Sequence, residues 1–184
     1  MSLRNQSLQI FLDEAFVAFD QFTNTPEARR SIRQMFAALE RPGAARAGEG
    51  SRLPVCAQLD VALSIDTSYP SLTRLIDGFK GIEPMLEWRR RNKYDHTASD
   101  NFVDGHANAM IIGPGGLEER SDPWIGVTLM APQVRYPDHD HAPEEVYLVL
   151  SEGEFQQGEG DWFSPGIGGS FYNVPDIKHA MRSL

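Results

Sequence analysis

Cysteine is nearly absent: Cys56 stands alone, so no internal disulfide can form and nothing demands an oxidising compartment. Basic residues are also scarce, with 17 Lys and Arg against 26 Asp and Glu and a formal net charge of −9. That balance argues against a nucleic-acid partner. No apolar run approaches the roughly 20 residues that a bilayer-crossing helix needs, so no membrane partner is expected. The opening stretch, MSLRNQSLQIFLDEAF, mixes polar with apolar residues and carries acids early, which is not the pattern of a signal peptide. Internal repeats and low-complexity segments are missing too. What is present is 184 residues, 41% of them hydrophobic, enough to bury the core of one good-sized domain. The expectation is a soluble, acidic, cytoplasmic globular protein.

The first third reads as helix. Leu8, Phe11, Leu12, Ala15, Phe16, Phe19 and Phe22 recur at the three- and four-residue steps that line one helical face. Thr25, Pro26 and Glu27 form a start signal: a capping hydroxyl, a residue with preset φ, then an acid at the positive helix end. Ile32, Met35, Phe36 and Leu39 continue that second helix on one stripe. PGAARAGEGS, residues 42–51, breaks the pattern and is expected to be a loop. A further helical block follows with Leu72, Leu75, Ile76 and Phe79 on one face, then Met85, Leu86 and Trp88. Arg89–Arg91 is expected to be the solvated end of that block. From about residue 105 the runs ANAMII, WIGVTLM, EVYLVL, GEFQQ and SFYNV alternate with turn-rich segments, the signature of an antiparallel barrel or sandwich.

Of five histidines, two lie in the segment Tyr136-Pro-Asp-His139-Asp-His141-Ala-Pro-Glu-Glu145-Val-Tyr147. In an extended chain, residues two apart point the same way, so His139, His141, Glu145, Tyr147 and Val149 share a face unless Pro143 interrupts it. Imidazoles and a carboxylate on one face suit Zn, Fe, Mn, Co or Ni. The competing reading is a solvent-facing His-x-His pair with Asp138 and Asp140 turned inward. Val146, Leu148 and Leu150 on the opposite parity favour a strand buried on both faces, and with it the metal. His96 and His106 have no partner motif and read as surface or structural residues; Glu144 is given no role.

His139-x-His141-x-x-x-Glu145, a turn-rich spacer with Gly153, Gly160 and Pro165, then Gly169-x5-Pro175-x-x-x-His179 resemble the two motifs of the cupin superfamily. Two departures are plain: no glycine precedes the first motif, and Pro175-Asp-Ile-Lys-His179 is one residue shorter than the common form. The resemblance implies a mostly β fold, a jelly-roll-like antiparallel barrel with a helical N-terminal extension. Residues 1–104 would be the helical part packed on a barrel of residues 105–184, the two forming one structural unit. Cupin barrels continue with a strand past the last histidine, so a chain ending at Leu184 is expected to be short of that strand.

Tyr136, Tyr147, the stretch GDWFSPGIGGSFYNVPDIKHAMRS and the helical extension together resemble bacterial dimethylsulfoniopropionate (DMSP) lyases of the DddQ type. Members of that family cleave DMSP into dimethyl sulfide and acrylate. The resemblance implies one divalent transition metal (Zn, Fe or Mn) on His141, Glu145, Tyr147 and His179. His139 and Tyr136 would stand in the same pocket toward a small zwitterionic substrate, in a monomer or homodimer. Eliminating dimethyl sulfide requires a base for the proton next to the carboxylate, and a phenolate beside a divalent cation can serve near neutral pH. Tyr147 shares the parity of the metal face, whereas Tyr136 is off phase, so Tyr147 is the expected base and Tyr136 the runner-up. Trp162, Phe163, Phe171 and Tyr172 are expected in core or lid, with an aromatic face available to a sulfonium. The same two motifs also serve isomerases, dioxygenases and non-catalytic sensors or binding modules, which stay open as alternatives.

Overall fold

The computed structural model describes residues 4–184; residues 1–3, where the expected helical part begins, lie outside the described residues. Helix α1 spans Gln6–Phe22 and starts at Asn5, whose side chain accepts the Leu8 N–H. It buries Leu8, Phe11, Leu12, Ala15 and Ala18, while Phe16, expected on that face, is 39% exposed. The Phe16 ring instead meets Phe36 at 5.1 Å, on helix α2, Pro26–Ala38. Thr25 caps α2 by accepting the Ala28 N–H, and Pro26 occupies its first turn. The segment read as a loop holds a two-residue strand, β1, Ala44–Ala45. A 3₁₀ turn, Pro54–Gln58, leads into α3, Leu59–Ala62, and then α4 runs Pro70–Ile82. Helices α1 and α4 approach closely: a Cβ on Gly78 would stand 3.2 Å from the Phe11 Cα.

The helical block ends sooner than expected. Glu83–Met85 tightens to 3₁₀ geometry around Pro84, which has no N–H to continue a helix, and Trp88–Arg89 is strand β2. Arg89 is therefore a strand residue. Buried Glu83 accepts from the Trp88 indole at 2.9 Å and from the Arg52 guanidinium, which fixes this turn.

Short helix α5, Phe102–Gly105, opens the second half, followed by β3 (His106–Ile112), β4 (Glu118–Glu119) and β5 (Ile125–Met130). These join β1 and β2 in a five-stranded sheet: β1, β4, β3 and β2 in that order, with β5 antiparallel to β3. Its inner residues Ala107, Ala109, Ile111, Ile112 and Leu129 pack with Leu8, Phe11, Leu72, Phe79 and Trp88 in the main core. Beyond it lie β6 (Arg135–His139), β7 (Glu145–Leu148), β8 (Gly153–Gln157), β9 (Ser170–Asn173) and β10 (His179–Ser183). They form a three-stranded sheet, β6–β10–β8, and a two-stranded one, β7–β9, all antiparallel.

The architecture is thus mixed helix and strand rather than mostly β, and among the described residues no continuous ladder closes a barrel. Short strands account for the gaps. Pro137 and Pro143 withhold donors, and the β10–β6 register shifts between His179 and Met181. Among the described residues, no helix is long and apolar enough to cross a membrane.

Candidate metal centre

His139 ends β6, Glu145 begins β7 and His179 begins β10, while His141 lies in the turn between β6 and β7. A continuous strand from His139 to Val149, on which the parity argument relied, is not formed: residues 140–144 turn, with Pro143 at their centre. The turn nevertheless returns Glu145 to His141. Glu145 Oε2 lies 3.1 Å from His141 Nε2 and 3.3 Å from His179 Nε2. One ligand atom from each of these three residues lies within 4.8 Å of the others, so the group could bind a metal. His139 stands beside that group, its ring 4.1 Å from that of His179.

Three imidazoles are oriented in the same way. Nδ1 of His139, His141 and His179 meets the carbonyl oxygens of Pro137, Pro143 and Ile177 at 2.8, 2.8 and 2.9 Å. An Nδ1–H donating to a carbonyl leaves Nε2 with a free lone pair, the form that ligates metals. His179 Nε2 is buried and has no hydrogen-bond partner. In that tautomer, two imidazole lone pairs face one carboxylate oxygen at close range, an arrangement that is repulsive until something positive lies between them. The residues present therefore fit a divalent cation.

Without a cation, the neighbouring charges act on each member of the group. Burial opposes ionisation of Glu145, but the adjacent His179 and His141 hold its carboxyl below the usual range. Burial also opposes protonation of His179, yet the partnership with Glu145 leaves its pKa raised. His139 is pushed down to about 4, by burial first and by His179 second.

The two tyrosines stand beside different histidines of the cluster. Tyr136, buried on β6, has its ring 5.1 Å from His139, and its hydroxyl accepts the Asn108 amide at 3.0 Å. Thr128 donates to Asn108 Oδ1 at 2.8 Å, which fixes the direction of that amide. Tyr147 on β7 has its ring 6.4 Å from His179 and lies flat on Phe171, centroids 4.9 Å apart. Burial and then the Glu145 carboxylate push its phenol well above the ordinary tyrosine value. The protein's own groups therefore hold Tyr147 protonated, and only a cation in the group can reverse that sign.

Among the aromatics, Phe171 meets Phe155 at 4.8 Å and Phe163 at 5.3 Å, building an apolar wall next to Tyr147. Trp162 is unsuited to a sulfonium, because its face is taken by Arg182 at 4.3 Å and Arg135 at 5.5 Å. Tyr172 donates to Glu144, which also lies 3.9 Å from Arg30 of α2, so Glu144 ties that helix to the sheet. His106 is fully buried, stacked on Phe102 at 3.8 Å, with Nε2 accepting the Arg91 N–H. Arg91 belongs to the run read as solvated, yet its guanidinium lies 5.8 Å from the Tyr136 ring.

Sequence reasoning passed over Asn173 and Gln157. Asn173 is completely buried and donates to Glu145 Oε2 at 3.3 Å. Gln157 donates to Asn173 Oδ1 at 2.5 Å and to the Tyr172 carbonyl at 2.7 Å. The one signal was a polar residue inside the β-favouring run SFYNV.

Comparison with known proteins adds a family. The family model described as dimethylsulfoniopropionate lyase matches residues 27–184. The chain is 26% identical over 133 residues to the dimethylsulfoniopropionate lyase DddQ of Ruegeria pomeroyi, a match spanning 72% of this chain and 65% of that protein's length. A crystal structure of the DMSP lyase DddQ from Ruegeria pomeroyi superposes with a TM-score of 0.73 at 22% identity, over 98% of this chain and 86% of that one. A second, from crystal structures of the DMSP lyases RdDddP and RnDddQII, gives a TM-score of 0.71 at 22% identity, over 97% and 86% of the two chains. At that identity the structural likeness speaks for the fold alone.

Proposed function

The chain belongs to the dimethylsulfoniopropionate lyase family, and on that premise we propose that it is a metal-dependent carbon–sulfur lyase cleaving DMSP into dimethyl sulfide and acrylate. The observation that carries the reading is the meeting of His141, Glu145 and His179 around a buried, unpartnered Nε2, with the Tyr136 ring beside His139 and the Tyr147 ring beside His179. His141, Glu145 and His179 would hold the metal (Zn, Fe or Mn), with the Tyr147 hydroxyl beside them. When bound, a divalent cation supplies the charge that makes a phenolate accessible near neutral pH and offsets negative charge developing at the substrate carboxylate.

The remaining work falls to the chain. Tyr147 takes the proton from the carbon next to the carboxylate. The electrons of that C–H bond form the new C=C bond, and the C–S bond breaks toward sulfur. Neutral dimethyl sulfide leaves and acrylate keeps the carboxylate. Phe171, Phe155 and Phe163 form the apolar wall that suits two S-methyl groups and keeps water from the base. Tyr136, whose oxygen already accepts from Asn108, has its own O–H free to hold the substrate beside His139.

In this reading β6 to β10 are a cupin-type barrel whose ladder is broken at its prolines. Residues 1–104 and 105–184 act as one unit, because β1 and β2 pair into the sheet of β3 and β4. A cytoplasmic location goes with the lone, buried Cys56. The test is to incubate metal-loaded protein with DMSP and measure dimethyl sulfide in the headspace and acrylate in solution, with and without oxygen. Equal yields of both products, independent of oxygen, are expected. No dimethyl sulfide from fully loaded protein would refute the reading, and a requirement for oxygen would point to a dioxygenase instead.

A further inference from the structure

The three residues of the candidate metal centre do not come from one sheet. Glu145 lies on β7, in the two-stranded sheet, and His179 on β10, in the three-stranded one. Among the described strands, no ladder joins the two sheets. Something else must set the 3.3 Å between Glu145 Oε2 and His179 Nε2. Directly across β7–β9 from Glu145 stands Asn173, and directly across β10–β8 from His179 stands Gln157. These two residues hydrogen-bond to each other at 2.5 Å, across the gap between the sheets.

The direction of each amide follows from its partners. The Tyr172 carbonyl can only accept, so the Gln157 group facing it at 2.7 Å is the NH₂. The same NH₂ reaches Asn173 Oδ1, so the other end of the Asn173 amide, Nδ2, faces Glu145 Oε2 at 3.3 Å. That oxygen is the one both imidazoles face. Asn173 is completely buried, a place where an amide is costly unless it is satisfied and where leucine would pack at similar volume.

We propose that Asn173 and Gln157 are positioning residues for the metal centre: their amides bridge the two sheets that carry its ligands and fix where the Glu145 carboxylate stands relative to His179. The proposal rests on the metal reading given above and deepens it. Neither residue is a ligand. Asn173 holds the rotation of the carboxylate, and Gln157 holds the orientation of Asn173 and the spacing of the sheets. Outer partners of this kind are typically worth ten- to a hundredfold in metal affinity.

The test is a titration of metal-free protein with Co(II), following the visible absorption of the bound ion and competing it against a chelator. Asn173→Leu and Gln157→Leu are compared with the unaltered protein, and Gln156→Leu on the same strand serves as control. Gln157→Leu is the decisive variant, since its side chain hydrogen-bonds to Asn173 and the Tyr172 carbonyl rather than to a ligand and is only half-buried. Each of the two test variants should weaken Co(II) about ten- to a hundredfold and alter the absorption, while Gln156→Leu should do neither. The double variant should be no weaker than Asn173→Leu alone, because the two act as one bridge. If Gln157→Leu lowers the melting midpoint but leaves Co(II) affinity and absorption unchanged, the role is only structural and the proposal fails. If the unaltered, folded protein takes up no Co(II), the metal reading fails first and takes the bridge with it.

Discussion

Replacing Tyr147 by Phe separates chemistry from packing, because the structure sets the two effects at different sizes. The ring lies on Phe171 with its plane tilted by only 5° and has Phe155 at 5.9 Å, and a phenylalanine keeps both contacts. The only loss is a hydroxyl, and a net hydrogen bond of that kind is worth about 1 kcal/mol. For a chain of this size that shifts the melting midpoint by about 2–4 °C. If the phenol is the base, turnover should fall by about two to four orders of magnitude, or about 3–5 kcal/mol of barrier. The measurement is dimethyl sulfide release with melting midpoint and metal content determined on the same sample. Tyr136→Phe is the paired variant: it strips the oxygen that accepts from Asn108, so it should mainly raise KM and spare more of kcat. Suppose that Tyr147→Phe, fully loaded, keeps near-normal turnover while Tyr136→Phe is inactive. Then Tyr136 is the base and the assignment by parity chose the wrong phenol. If both variants stay active, no phenol abstracts the proton and the elimination mechanism proposed above is refuted.

Three further outcomes are expected. Alanine at His141, Glu145 or His179 should each drop bound metal well below one equivalent by elemental analysis; full loading in all three variants would remove the site. Glu118 is 3% exposed, receives Arg4 at 2.7 Å and the Gly43 N–H at 2.8 Å, and has its pKa lowered, against the opposing effect of burial, by those donors. Its contribution is therefore complete above the unfolded carboxyl pKa and is lost as pH falls through the lower, folded one. Glu118→Gln strands the Arg4 charge, so it should cost about 3–5 kcal/mol at neutral pH and flatten the acid limb of a denaturation–pH profile. An unchanged acid limb would show that Glu118 does not carry it. Burial raises the Cys56 thiol pKa, so a thiol reagent should label it at the unfolding rate and not sooner, as mass spectrometry with and without denaturant would reveal.

The parts of the fold that depend on neighbours in sequence were legible in it. Thr25-Pro26 announced α2, and the spacing from Leu8 to Ala15 placed the buried face of α1. Phe16 escaped that logic because a second helix offered it a partner in Phe36, which no periodicity encodes. Strands β1, β2 and β4 have two residues each, too few to alternate, so they exist only through their partners on β3 and on each other. His139, His141 and Glu145 were singled out by a parity that the chain does not use. A turn through Pro143 brings His141 and Glu145 together, and the spacing of a turn can imitate that of a strand. Asn173 and Gln157 could not be found in this way, since their significance arises from facing residues on two other strands. The closed barrel that the cupin resemblance implied is not seen in the ladders of the described residues, because prolines and a register shift are local events with a global effect on a ladder.

Strand β10 lies between β6 and β8, although both precede it in the chain. On a ribosome, the two outer strands emerge with no partner for the edges they will later share, and neither has the other as a neighbour. Their pairing waits for the middle strand, whose first residue is His179. Completion of the sheet and arrival of the last imidazole are therefore one event in time. A chain that has not yet produced residue 179 lacks both the ladder and one of the three residues that could together bind a metal. Closing so distant a pairing is slow by nature.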